Sequence, residues 1–171
     1  MKRTVSIFLA AFCFFSVFAA ESRLEVGLSP VSIQYTAASD GASTLSDKGS
    51  GLSFCFSQRE ANAIIGFGVD VDVFAFDEAS GSVAFDADAS VYAKVGLAFG
   101  RRIQTSVSLC SGFKSRPKEK AFVPALGLEG KILAAPTRNL AFGFCSILNL
   151  ATLEGREVWT LSNSIVLSWR I

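Results

Sequence analysis

Apolar and polar residues alternate with a period of two along most of this chain, most cleanly in the final stretch, Val158 to Ile171. Counting back from the carboxyl end, Ile171, Trp169, Leu167 and Ile165 share one face, Asn163 interrupts it, and Leu161 and Trp159 resume it. Ser168, Ser164, Ser162 and Thr160 fall on the other face, with Val166 and Arg170 as departures. A period of two means an extended strand with one oily and one polar side. A final strand that ends on its oily face suits the closing strand of a barrel in lipid.

The same period predicts seven earlier strands. In the first, Leu24, Val26 and Leu28 alternate with Glu25, Gly27 and Ser29; after Pro30 the pattern resumes one place out of step with Val31, Ile33 and Tyr35. Proline cannot donate to a strand ladder, so a bulge at Pro30 that resets the register is expected. The second carries Leu52, Phe54 and Phe56; the third sets Ile65, Phe67, Val69, Val71 and Val73 against Gly66, Gly68, Asp70, Asp72 and Phe74. The fourth is the longest, with Phe85, Ala87, Ala89, Val91, Ala93, Val95, Leu97 and Phe99 opposite Asp86, Asp88, Ser90, Tyr92, Lys94 and Gly96. At helical spacing those apolar residues would scatter around the wheel, so a strand is the better fit. The fifth follows Ile103, Val107, Leu109 and Phe113, the sixth Phe122, Leu126, Leu128 and Ile132, and the seventh Leu140, Phe142, Phe144, Leu148 and Leu150. Polar loops are expected at 36–50, 77–83, 114–121 and 152–157, and the intervening links are tight. Short turns at one rim and longer loops at the other are the habit of outer-membrane barrels, the short ones facing the periplasm.

Composition narrows this further. Half of the 171 residues are hydrophobic and 18% are charged, yet no apolar run after Phe18 is long enough for a membrane helix. Abundant apolar residues that never form a block are what alternating membrane strands produce. The amino terminus has Lys2 and Arg3, an apolar run from Val5 to Phe18, then Ala19 and Ala20, which reads as a secretory signal over residues 1–20, removed to leave a barrel over 21–171. Losing Lys2 and Arg3 turns the net charge from +1 to −1. Near neutrality argues against nucleic acid as a partner. Cys55, Cys110 and Cys145 remain after processing, an odd number at wide spacing, expected as buried free thiols. The chain has no histidine, which removes the usual Ser-His and Cys-His nucleophile systems, so no enzyme, no cofactor and no thiolate metal site is expected.

Alternation alone leaves two orientations open. A secreted or periplasmic lipocalin-like barrel would bury its apolar face around a small ligand, whereas a membrane barrel turns that face to lipid. The polar face here is mostly Gly, Ser, Ala and Asp, suited to the narrow inside of an eight-stranded barrel. Many aromatics fall near strand ends, where they would form interfacial girdles: Tyr35, Phe85, Phe99, Phe113, Phe122, Trp159 and Trp169. Both features favour lipid outside and polar residues inside. The expected fold class is all-β, an eight-stranded antiparallel up-and-down transmembrane β-barrel.

In this pattern the chain resembles the small eight-stranded outer-membrane barrels of Gram-negative-type bacteria, the class of the OmpA transmembrane domain, OmpX and OmpW. The resemblance covers 21–171 and rests most on the terminal strand, Trp159, Leu161, Ile165, Leu167, Trp169 and Ile171. That strand looks like the signal read by the barrel-insertion machinery; members of the class usually finish on Phe, where this chain has Ile171. The resemblance implies outer-membrane lipids and the insertion machinery as partners, and a structural role or a narrow channel for small or hydrophobic solutes.

With the polar face inside, Asp70, Asp72, Asp86 and Asp88 are expected to crowd the loop-side end of the lumen, with Asp72 opposite Asp88. Such carboxylates either hold a cation, calcium being the oxygen-seeking choice, or pair with Lys94, Lys131 and Arg170, with Glu129 also inside. Gly66, Gly68, Gly96, Gly127 and Gly143 would leave a slender channel or let the barrel close tightly. The basic run Lys114 to Lys120 is expected in a surface loop, solvated or touching polysaccharide.

Overall fold

A computed structural model describes residues 21–37, 43–77, 83–116, 121–153 and 156–171; the signal read at 1–20 lies outside them. Eight strands form: β1 (Glu21–Ala37), β2 (Ser43–Glu60), β3 (Ala63–Asp77), β4 (Val83–Phe99), β5 (Ile103–Arg116), β6 (Ala121–Ala134), β7 (Leu140–Leu153) and β8 (Arg156–Arg170). Each pairs antiparallel with the next, and β8 returns to β1 to close the barrel. Closure leaves no sheet edge, so every strand ladder has a partner on both sides.

The apolar rows face out. Phe85 is 72% exposed and Ile103 67%, whereas Lys114 is 1% exposed and Asp88 and Glu129 2% each. A lipocalin-like barrel has the opposite arrangement, so that alternative falls. The inside holds charged and small polar side chains together with a small apolar cluster of Leu133, Ala141, Cys145, Ile147 and Val166. Cys55, Cys110 and Cys145 are free thiols buried on this inner face.

At Pro30 the predicted bulge is present. The register slips between Ser29 and Ser32 against β2 and between Leu28 and Val31 against β8. Inward positions are odd-numbered up to Ser29 and even-numbered from Ser32 to Gln34, with Pro30 and Val31 both facing out. One extra residue thus keeps the oily face outward along the whole of β1.

The predicted loops need correction. Residues expected in the loop 36–50 belong largely to strands, with Tyr35 paired to Leu45 and Ala37 to Ser43. Likewise β3 runs to Asp77, β4 starts at Val83, β5 runs to Arg116, β6 starts at Ala121, β7 ends at Leu153 and β8 starts at Arg156. Strands of 14 to 18 residues exceed the about 9–11 that a tilted strand needs to cross hydrocarbon. The hairpins therefore continue past that span, beyond the oily phase whose contact makes a strand alternate in sequence. At the other rim the links are tight: Ala61–Asn62, Gly100–Arg102 and 135–139. Gly100 has φ +84, a left-handed value open to glycine at little steric penalty, and that bend lets the chain reverse within three residues.

Candidate functional site

The inward positions of three strands meet in a chain of buried charges that crosses the lumen. Glu25 of β1, Lys94 of β4, and Glu129 and Lys131 of β6 form an alternating quartet. Lys94 Nζ donates to both carboxylate oxygens of Glu129 at 3.0 Å and stands 3.6 Å from Glu25 Oε2. Lys131 Nζ lies 2.5 Å from Glu25 Oε2 and 3.4 Å from Glu129 Oε1. Glu129 and Lys131 are two residues apart, so the strand period itself puts them on one face. Each ammonium has two carboxylates and each carboxylate two ammoniums, so the four charges compensate one another.

Nearer the loop end a second network fills the section. Lys114 of β5 reaches Asp88 at 2.9 Å and donates to Thr160 Oγ1 at 2.8 Å, with its ammonium 5.9 Å from the centre of the Phe74 ring. Gln34 Nε2 donates to Asp88 Oδ2 at 3.1 Å. Asp72 accepts from Ser32 Oγ at 2.7 Å and from Ser162 Oγ at 3.4 Å, and Ser29 and Ser164 share a hydrogen bond of 2.5 Å. Between the two networks the Tyr92 hydroxyl donates to Asp70 Oδ1 at 3.3 Å.

Several expectations change on this geometry. Asp72 does sit opposite Asp88, but the four aspartates do not converge. Asp70, Asp72 and Asp88 are each engaged by a different partner, and Asp86 turns to the backbone N–H of Ala87 at 3.0 Å. Among the described residues no group of three or more potential ligands is placed to hold a metal ion. Lys94 and Lys131 pair with glutamates rather than aspartates, and Arg170 is exposed at the mouth of the lumen by the short turns. Lys114, expected in a basic surface loop, is an interior residue; 117–120 lie outside the described residues. The glycines do not leave a channel. The Tyr92 ring takes the space beside Gly68, Lys94 that beside Gly66, and Asn149 that beside Gly127.

Two interior groups escaped sequence reasoning. Lys114 keeps the phase of Cys110 and Gly112 on the polar face, so extending the alternation one step past Phe113 finds it. Glu25 carries the right parity, but nothing local links it to Lys94 and Lys131, since β1 meets β4 and β6 only across a closed barrel.

The aromatics named from sequence fall at the two ends of the outer surface. Tyr35, Phe85, Phe113 and Phe122 are exposed toward the loop end, where Trp159 is half-buried; Phe99 and Trp169 are exposed toward the turns. Phe113 and Phe122 stack with centroids 5.1 Å apart, and Tyr35 stands opposite Trp159 across the β1–β8 seam. In the terminal strand Ile165, Leu167, Trp169 and Ile171 are exposed and Leu161 is half-buried.

At the short-turn end the lumen opens into a cavity of about 490 Å³ lined chiefly by arginine. Two further pockets among the described residues are small, about 30 Å³ and 10 Å³.

No protein-family model matches the chain, and no curated protein matches it. Solved structures do. Neisserial surface protein A aligns with a TM-score of 0.63 at 14% identity, over 90% of this chain and 100% of that one. Ail, the attachment invasion locus protein of Yersinia pestis, solved with the heparin analogue sucrose octasulfate, gives 0.56 at 12%, over 89% and 100%. The outer membrane protein OprG of Pseudomonas aeruginosa gives 0.55 at 7%, over 89% and 98%. At such identities the likeness is one of fold, and the fold is that of the small eight-stranded outer-membrane barrels.

Proposed function

We propose that this chain is an integral outer-membrane barrel whose lumen is closed by its own side chains. The observation that carries the reading is the inverted distribution of polarity, with oily rows outside and a charge quartet across the inside. An outer surface on which Phe144 is 70% exposed has no stable place in water as a monomer, whereas lipid accepts it. Tyr35, Phe85, Phe99, Phe113, Phe122, Trp159 and Trp169 serve as the two aromatic girdles. Residues 1–20 direct export and are removed, the short turns face the periplasm, and the terminal strand is read by the insertion machinery. The role is structural and non-catalytic. The quartet argues against the narrow-channel form, because a solute would have to break buried ion pairs that span the section.

The test is fractionation followed by electrophysiology. The protein should sediment with the outer membrane, need detergent, and migrate differently on gels before and after boiling. Purified and inserted in planar bilayers, it should show no stepwise conductance. A monomer stable in buffer without detergent would overturn the membrane reading; steady single-channel steps would overturn the closed lumen alone.

A further inference from the structure

The quartet explains the middle of the lumen but not its mouth. Arg23 of β1, Arg59 of β2, Arg101 of the β4–β5 turn, Arg138 of the β6–β7 turn and Arg170 of β8 all line the 490 Å³ cavity there. Glu21 is the one acid that lines it, and it is already paired with Arg23. No lysine lines this cavity, although the three buried interior cations deeper in the lumen, Lys94, Lys114 and Lys131, are all lysines.

The arginines divide into two sets. Arg59 is spent on structure, donating to the carbonyls of Ala61 at 2.9 Å and of Ala98 and Gly100 at 3.3 Å each. Arg23 is held by Glu21 and by Ser168 Oγ at 3.5 Å. Arg101, Arg138 and Arg170, by contrast, have no partner for their guanidinium groups among the described residues. The backbones of Arg101 and Arg170 are nonetheless held, and a bond across the turn brackets Arg138. Gln104 Nε2 donates to Arg101 O at 3.0 Å, Thr137 Oγ1 accepts from Leu140 N at 3.0 Å, and Arg170 N donates to Asn139 O at 2.8 Å. Three free planar forks on fixed roots thus surround a cavity large enough for a small molecule.

We propose that this mouth is a binding site for a multiply charged phosphate oxyanion, gripped by Arg101, Arg138 and Arg170. The guanidinium fork donates two parallel hydrogen bonds to a phosphate edge, a geometry lysine does not offer. Like charges gathered at a cavity rim raise the local concentration of anions and repel one another when it is empty. A bound dianion removes that repulsion. The site needs only the mouth, so protein purified in detergent displays it whichever compartment the mouth faces. The anion is either free in solution or the headgroup of an anionic phospholipid in the adjoining leaflet.

The experiment uses the folded barrel with two probes. Inorganic pyrophosphate is titrated calorimetrically against protein in a zwitterionic detergent at about 0.1 M salt, where screening leaves close contacts intact. Separately, protein in nanodiscs of phosphatidylcholine with phosphatidic acid, whose headgroup is a phosphomonoester able to carry two charges, is released into native mass spectrometry to count retained anionic lipid. R101A/R138A/R170A, checked for folding by its gel shift on boiling, should weaken pyrophosphate binding about tenfold or more, and the triple lysine variant should lose less. Retained phosphatidic acid that disappears in the alanine variant identifies a lipid headgroup; pyrophosphate binding without lipid retention identifies a soluble anion. Either outcome supports the site. Absence of both in the unmutated protein, or unchanged binding in the alanine variant, overturns it.

Discussion

Asn163 breaks the oily face of the last strand, and its surroundings show why the break is tolerated. It stands directly across from Ser146 of β7, and Ser146 Oγ donates to Asn163 Oδ1 at 3.0 Å on the outer surface. Two polar side chains that satisfy each other in part are less unfavourable in lipid than one alone, but still worse than an apolar pair. The double variant S146A/N163L should therefore raise stability by roughly 1–2 kcal/mol in urea titrations of vesicle-inserted protein. The single variant N163L should gain less, because Ser146 then loses its acceptor. A loss of stability in the double variant would show that the pair holds the strand register instead.

At the scale of the strand, the outer face of β8 and its neighbours sets a depth-dependent penalty for charge. Ile165 lies mid-strand and is 54% exposed, while Ile103 stands at the turn end of β5. I165R should cost roughly 2–4 kcal/mol and I103R no more than about 1 kcal/mol, measured as the shift in unfolding free energy in vesicles. Equal penalties at the two sites would mean that the hydrocarbon does not centre on the middle of the strands. Elements also explain what the sequence hid. Alternation is a record of contact with an oily phase, so it identifies each strand only where the strand crosses that phase. Ser43 to Gly49 pair with β1 across a register shift, and Lys48 to Ser50 pair with β3, yet this stretch reads as a polar loop, since backbone pairing by itself leaves no period in the sequence. Pro30 was legible for the opposite reason. A missing donor and a one-place slip in the apolar row are both visible in the chain itself.

For the molecule as a whole, the quartet joins β1, β4 and β6 across the lumen and couples walls that share no ladder. Removing one member leaves buried charge without its counterpart. K94M should destabilise the barrel by roughly 3–5 kcal/mol, whereas K94M/E129L, which removes a matched pair and leaves Lys131 on Glu25, should cost far less. Urea titration of the two variants in vesicles decides it. Equal losses would show that these charges are solvated rather than mutually compensated.

By itself the sequence determined the number of strands, the oily face of each, the bulge in β1 and the presence of ionisable residues on the polar face. Those properties depend on neighbours one or two residues away, and a period of two records them directly. Only the tertiary structure decided which charges meet. Glu25 finds Lys94 and Lys131, Lys114 finds Asp88, and three turns and strand ends bring Arg101, Arg138 and Arg170 around one mouth. Those pairings span a closed ring, and the distance across a ring depends on register and closure, which no local spacing encodes.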